Sequence, residues 1–232
     1  MNSLDRPDAG IIGSNDAIEI LQKAETSRLL VVSDTHGHYA VFEAIIREYG
    51  NDCDALLFAG DGIWDIVQYL ENCQTSEKLR QALPPVVAFV AGNGDGDQYR
   101  VSLPVLDDAR EPERLGYTIM VPPRRILLAS CYRIFMVHGH HHSVDVSPEI
   151  LVNVAHSMNC DIVVFGHTHV PMSEEFSHIF VLNPGSPARP RGYSAPGFAI
   201  LELDSTCIVP KVSFISVREN LYGTYRFSEK ES

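Results

Sequence analysis

Basic residues are the scarcer charge in this chain, and that shortage removes several classes of protein. Eighteen Lys and Arg stand against 30 Asp and Glu over 232 residues, a formal net charge of −12. A nonspecific binder of nucleic acid or of an anionic membrane needs a basic footprint, so no stable nucleic-acid binding and no membrane binding are expected. An anionic small substrate is still compatible, because bound divalent cations would reverse the local sign. No apolar run approaches the roughly 20 residues needed to cross a bilayer. The N-terminus has no basic stretch leading into an apolar one, so no signal peptide is expected. Cysteine is sparse, odd in number and never arranged as CxxC: Cys53, Cys73, Cys131, Cys160 and Cys207. Several lie in or beside apolar runs, as in RILLASCYRIF, where a reduced thiol acts as a small hydrophobe. A reduced, cytoplasmic protein is the expectation. Disorder is excluded by a composition that is 45% hydrophobic and 21% charged.

What is present is a series of apolar runs that each stop at a polar cluster. They read LLVVSDTHG (Asp34, His36), LLFAGDG (Asp61), VVAFVAGNGD (Asn93), IFMVHGH (His138) and DIVVFGHTH (His167, His169). Each run has the length of a buried, parallel-type strand and ends at Gly or a polar residue. In open α/β sheets ligands bind beyond the carboxyl ends of the strands, so clusters spread along the chain are predicted to converge in space.

The element order supports this. Residues 1–27 read as a polar leader with a short amphipathic stretch at 17–24, and the core runs over about 28–217 of one domain. Helical spacing predicts helices over 39–49 and 148–158, and two short ones within 63–83. Strands are expected at 28–32, 55–59, 86–91, 117–121, 126–130, 133–137, 161–165, 179–182, 198–203 and 208–217. Residues 97–116 show little periodicity and two prolines, which predicts a loop. A β-α-β-α-β first half with parallel character and a mainly antiparallel second half suggest two sheets packed face to face with helices outside.

Asp34 and His36 are one residue apart, as are His167 and His169, so each pair points one way at an extended strand end and can grip one ion. Imidazole nitrogen with carboxylate oxygen suits borderline first-row ions, and the absence of Cys disfavours a structural thiolate zinc site. Seven ligands exceed what one catalytic ion with an open position needs; they suit two ions, with a carboxylate such as Asp61 bridging them. Two ions roughly 3.5–4 Å apart form a clamp for in-line displacement at phosphorus.

D-x-H, GD, GN-x-D, HGH, GHTH and a following NPGS occur here in the order that marks calcineurin-like metallophosphoesterases. The chain resembles that family from about Leu29 to Ser186, within its compact bacterial and archaeal phosphodiesterase branch. The resemblance implies a four-layer α/β (α+β) fold, a two-sheet β-sandwich flanked by helices. It also implies that Asp34, His36, Asp61 and His169 hold one divalent metal ion. Asp61, Asn93, His138 and His167 would hold the other. The implied cofactors are two divalent ions, manganese first, then nickel, iron, zinc or magnesium. The implied reaction is attack of a metal-activated hydroxide on a phosphoester small-molecule substrate, with no covalent enzyme intermediate. Catalytic roles fall to Asp61, Asn93, Asp95 and His138, and a homo-oligomer is implied without a named interface.

One departure stands out. Many members follow the Asn with a His that assists the leaving group, whereas this chain reads Gly92-Asn93-Gly94-Asp95. Asp95 could orient a His or a water, but a carboxylate is no equal substitute for imidazole at neutral pH. Taken singly, Asp34 reads as an Asx-turn or helix N-terminal residue, and GNGDGD as a turn. His140, His141 and His142 read as exposed loop residues, and His156 and His178 as structural. Arg189 and Arg191 read as a solvated loop, and NPGS either as a turn or as the rim of the site. The competing function is a non-catalytic interaction scaffold on the same fold, the role of a retromer subunit that resembles these enzymes; degraded ligand positions would favour it, and none is degraded here.

Overall fold

The computed structural model describes residues 4–104, 116–207 and 209–229. Its framework is a seven-stranded sheet in the order β1-β4-β3-β2-β12-β13-β14, packed on a five-stranded sheet in the order β10-β11-β9-β8-β7. The centre of the larger sheet is parallel: β2 (Thr26–Val32), β3 (Ala55–Phe58) and β4 (Val86–Phe89). In the smaller sheet β8 (Tyr132–Val137), β9 (Ile162–Val164) and β11 (Ile179–Asn183) are parallel neighbours.

These strands are apolar throughout because both of their faces are covered. Along β2 to β4, Leu30, Val32, Leu56, Phe58, Val87 and Phe89 face one apolar cluster. The alternating Leu29, Val31, Ala55, Leu57, Val86 and Ala88 face another, which they share with Ile134, Met136, Ile162, Val164 and Leu182 of the smaller sheet. The second cluster is the filling between the sheets. Helices α2 (Tyr39–Tyr49), α3 (Ile63–Asn72) and α4 (Glu77–Ala82) cover the outer face of the larger sheet through Phe42, Ile45, Ile66, Leu70 and Leu79. Helix α5 (Glu149–Ser157) covers the smaller sheet through Leu151 and Ala155. The layers are therefore helix, sheet, sheet, helix. Removing a large aliphatic from the central filling is expected to cost about 2–5 kcal/mol.

Three expectations are corrected. Residues 11–12, assigned to a polar leader, form β1 (Ile11–Ile12), which pairs with β4 and buries both isoleucines. The helix expected at 17–24 is α1 (Asn15–Lys23), started two residues earlier because Ser14 accepts a cap hydrogen bond from the Ala17 N–H at 3.1 Å. Within the expected loop 97–116, β5 (Gln98–Ser102) pairs with β6 (Gly116–Met120), and Tyr99 and Val101 join the helix-side core; residues 105–115 lie outside the described ones. The second half is mainly antiparallel, as expected, and β9 is the exception, running parallel to both neighbours.

The remaining strands are β7 (Arg124–Ala129), β10 (Met172–Phe176), β12 (Gly197–Asp204), β13 (Lys211–Glu219) and β14 (Tyr225–Glu229). β10 and β14 were not expected; they are edge strands, rich in charge and poor in the apolar residues that mark buried ones. No helix among the described residues is long and apolar enough to cross a membrane.

Candidate metal centre

The carboxyl ends of β2, β3, β4, β8 and β9 lie at one end of the sandwich, and the loops that leave them are bonded to one another. The Asp34 N–H donates to the Gly60 carbonyl and the His36 N–H to the Asp61 carbonyl, both at 2.9 Å. The Gly166 N–H reaches the His138 carbonyl at 3.0 Å, and the His167 N–H reaches Asp34 Oδ2 at 3.1 Å. Two glycines permit this crowding. A Cβ on Gly92 would lie 2.1 Å from Asp61 Oδ1, and one on Gly166 would lie 2.0 Å from Ser33 Oγ.

Two groups of ligand atoms gather within 4.8 Å of one another: Asp34 with His36 and His169, and Asp34 with Asp61 and His138. His36 Nε2 lies 3.1 Å from His169 Nε2. His169 Nε2 lies 3.2 Å and His138 Nε2 3.9 Å from Asp34 Oδ1. Asp61 Oδ2 faces both groups, 3.5 Å from His138 Nε2 and 4.0 Å from His36 Nε2, while its Oδ1 accepts the Gly94 N–H at 2.7 Å. Asn93 Oδ1 lies 3.0 Å from His167 Nδ1, and the His138 and His167 rings are 5.3 Å apart between centroids. All seven residues singled out in the sequence are thus neighbours.

The inner nitrogens are left bare by what the outer ones do. His138 Nδ1 lies 2.7 Å from the Ala59 carbonyl and His169 Nδ1 2.5 Å from the Arg189 carbonyl, so each neutral ring turns a lone pair inward on Nε2. His167 is reversed. Its Nε2 lies 3.1 Å from Asp145 Oδ2, which leaves Nδ1 on the Asn93 side. Asp34 Oδ1 and His138 Nε2 are buried without a hydrogen-bond partner among the described residues. Buried polar atoms are rarely left so, and oxygen and nitrogen donors aimed into a shared space fit divalent cations.

Charge is tuned in the same direction. Burial pushes the Asp61 carboxyl up, but His138 and the Gly94 N–H outweigh it and hold Asp61 at about 2. Burial pushes His138 down, and Asp61 and Asp34 outweigh that to raise it. His36 is lowered, mainly by burial. Five of the seven residues take a left-handed backbone: Asp34 at φ 57°, His36 at 49°, Asp61 at 55°, His167 at 68° and His169 at 58°. Such conformations cost non-glycine residues free energy and cluster at functional sites.

Asp95, expected among the catalytic residues, is engaged by backbone donors. Its Oδ2 accepts the N–H of Asp61 at 2.7 Å and of Gly92 at 2.9 Å; its Oδ1 accepts those of Ile63 at 3.0 Å and Gly62 at 3.2 Å. Both oxygens are committed to four backbone donors, so Asp95 is a clamp on the Asp61 loop and the start of α3. NPGS is also more than a surface turn. Asn183 Nδ2 donates to the Gly166 carbonyl at 2.8 Å, and Ser186 Oγ donates to the Asp34 carbonyl at 2.7 Å. His140 and His142 are half-buried with unpartnered Nδ1 atoms instead of exposed. His156 and His178 are exposed instead of structural. Sequence reading passed over Asp145 and also Asp65, a buried carboxylate that accepts from the Thr35 hydroxyl and the Gly37 N–H. The one signal for Asp65 was an acid in the first turn of α3 just after GD.

A layered β-sandwich with Asp, His and Asn gathered at its strand ends defines a metallophosphoesterase class of site. Residues 28–206 match the Calcineurin-like phosphoesterase superfamily domain, and the chain belongs to that family. Phosphodiesterase YfcE of Escherichia coli K12 is 25% identical over 188 residues, 78% of this chain and 91% of YfcE. A phosphodiesterase of Methanocaldococcus jannaschii is 26% identical over 157 residues, 67% of this chain and 81% of its own length. Among solved structures, a Streptococcus pneumoniae protein described as a predicted phosphoesterase aligns with a TM-score of 0.58 at 22% identity, over 88% of this chain and 98% of its own. Vacuolar Protein Sorting 29 of Cryptosporidium parvum aligns at 0.57 and 19%, over 88% and 97%. At these identities the structural likenesses speak for the fold alone.

Proposed function

We propose that the chain hydrolyses phosphodiesters with two divalent cations. Asp34, His36, Asp61 and His169 would hold one; Asp61, Asn93, His138 and His167 would hold the other, with Asp61 common to both sets. The observation that carries this reading is the convergence of seven donors from five strand ends, with Asp34 Oδ1 and His138 Nε2 buried and unpartnered. When bound, such a pair of ions neutralises charge on phosphate oxygens and makes a water nucleophilic near neutral pH, which suits in-line displacement.

The chain's own part is to aim donors. The carbonyls of Ala59 and Arg189 and the Asp145 carboxylate hold the outer nitrogens of His138, His169 and His167, and Asp95 holds the loop that presents Asp61. Gly94 stands where many relatives carry a His, so the leaving group draws its proton from solvent, and esters of acidic alcohols such as phenols should turn over fastest. A preference for diesters accords with the names of the two phosphodiesterase relatives. Five free cysteines, three of them buried, accord with a reducing, cytoplasmic setting. The intact ligand set weighs against a non-catalytic scaffold.

Metal-stripped protein should be inert toward a bis-aryl phosphodiester and recover on adding Mn²⁺, Ni²⁺, Mg²⁺ or Zn²⁺, with Mn²⁺ tried first. Recovery should fail in Asp61→Ala and His138→Ala, and the monoester should be slower. Turnover that survives metal removal or either substitution would sink the proposal.

A further inference from the structure

A groove of about 560 Å³ opens beside the metal cluster, between the segment after β8 and the β9–β10 connection. That volume lies within the ~300–1,000 Å³ typical of small-molecule sites. Its walls are mostly apolar: Val144, Val146, Phe165, Val170, Pro171 and Met172. Three of its residues also build the metal cluster's surroundings. Asp145 holds His167 Nε2 at 3.1 Å, Thr168 sits between His167 and His169, and the Arg191 N–H donates to the His169 carbonyl at 3.2 Å. The groove and the candidate metal centre are therefore two parts of one surface.

Two of its valines reach the surface. Val146, next to Asp145, is 89% exposed, and Val170, next to His169, is 37% exposed. The charged residues at the rim are Asp145 and Glu174 against the single cation Arg191. Two carboxylates repel an arm that carries further phosphates, and one guanidinium is enough for the single negative charge of a diester.

We infer that this groove receives an uncharged aryl or alkyl arm of the phosphoester, and so sets the substrate class. The inference rests on the phosphoesterase reading above. Phosphate at the cluster would place the ester group toward Val170 and Val146, where the groove removes its apolar surface from water. Val146 and Val170 are the residues that set the preference.

The test uses the full chain reloaded with Mn²⁺ and titrated calorimetrically with methyl(phenyl)phosphinate and dimethylphosphinate, which carry one negative charge like a diester and have no ester bond to hydrolyse. The phenyl probe should bind at least about tenfold tighter, the range expected when a hydrophobic pocket discriminates by size. In Val146→Asp and Val170→Asp that ratio should fall toward one. A ratio does not depend on how much of a variant is folded, so a partly misfolded preparation still reports. Metal-dependent binding of both probes with a wild-type ratio near one overturns the groove alone, as does a ratio untouched by both substitutions. Failure of both probes to bind the metal-loaded chain overturns the groove together with the reading beneath it.

Discussion

Replacing His36 by glycine should leave the metal-free chain more stable than replacing it by alanine, although glycine is ordinarily the costlier residue. Both substitutions remove the imidazole, whose Nε2 lies 3.1 Å from His169 Nε2, 3.9 Å from Asp34 Oδ1 and 4.0 Å from Asp61 Oδ2. Both keep the backbone bond from residue 36 to the Asp61 carbonyl. What differs is the backbone at φ 49°. A Cβ in the left-handed region costs about 1–2 kcal/mol. Against that, glycine frees the unfolded chain by about 0.4–1 kcal/mol. The difference leaves glycine ahead by roughly 1 kcal/mol, or about 2–4 °C in Tm for a chain of this size. Scanning calorimetry on chelator-treated protein measures it directly. Repeating the scans with Mn²⁺ separates strain from ligation, because ligand binding to the folded state raises Tm by mass action. Wild type should gain more from the ion than either variant. An alanine variant as stable as the glycine one without metal would refute the claim that strain is stored at this position.

Three other outcomes follow from the same geometry. Asp95→Ala removes the acceptor of four backbone N–H groups and should cost at least about 3 kcal/mol in urea denaturation, with Asp95→Asn recovering part of it. Asp61 is held at about 2 against an ordinary 3.8, a depressed acid whose contribution is present above the ordinary value and lost as pH falls through the lowered one. Metal-free stability should therefore decline as pH drops from about 4 toward 2, and Asp61→Asn should flatten that limb. Burial raises Cys53 to about 11 and Cys73 to about 12, and Cys160 is raised as well. A thiol reagent should label only Cys131 and Cys207 in the folded chain, both exposed, and all five after unfolding.

The ligands were legible because burial on two faces writes an uninterrupted apolar run, and a polar residue ending such a run is conspicuous. Leu29–Val32 followed by Asp34 and His36 is the clearest case. Strand direction left no such mark: the run Ile162–Val164 reads the same whether β9 lies parallel or antiparallel to its neighbours. Period-two alternation in QYRVS was present, but five residues beside two prolines do not outweigh a loop signature, so β5 went unseen. β10 and β14 escaped because edge strands carry charge where central ones carry Val and Ile. The partners of Asp95 were hidden for a different reason. GNGD shows a carboxylate near a candidate metal ligand, yet three of the four donors that occupy it belong to residues 61–63, more than thirty positions away. Asp145 and Ser186 act on His167 and Asp34 across gaps of 22 and 152 residues, and no local pattern encodes a contact of that kind.

Strain, orphaned atoms and clamps belong to one balance. Two imidazole nitrogens stand 3.1 Å apart, and a carboxylate oxygen and an imidazole nitrogen lie buried without partners among the described residues. Left-handed backbone at five of the seven positions adds a further cost. Nothing among these terms favours the arrangement by itself. It persists because Asp95, Asp65, Asn183 and Ser186 tie the loops to the ends of buried strands. On the proposed reading these terms would reverse sign with bound cations: the inward nitrogens and oxygens would serve as ligands, and the left-handed backbone is already set to present them. Preorganisation of that kind shifts the cost of assembling the site from the binding step to folding, where two buried sheets can offset it.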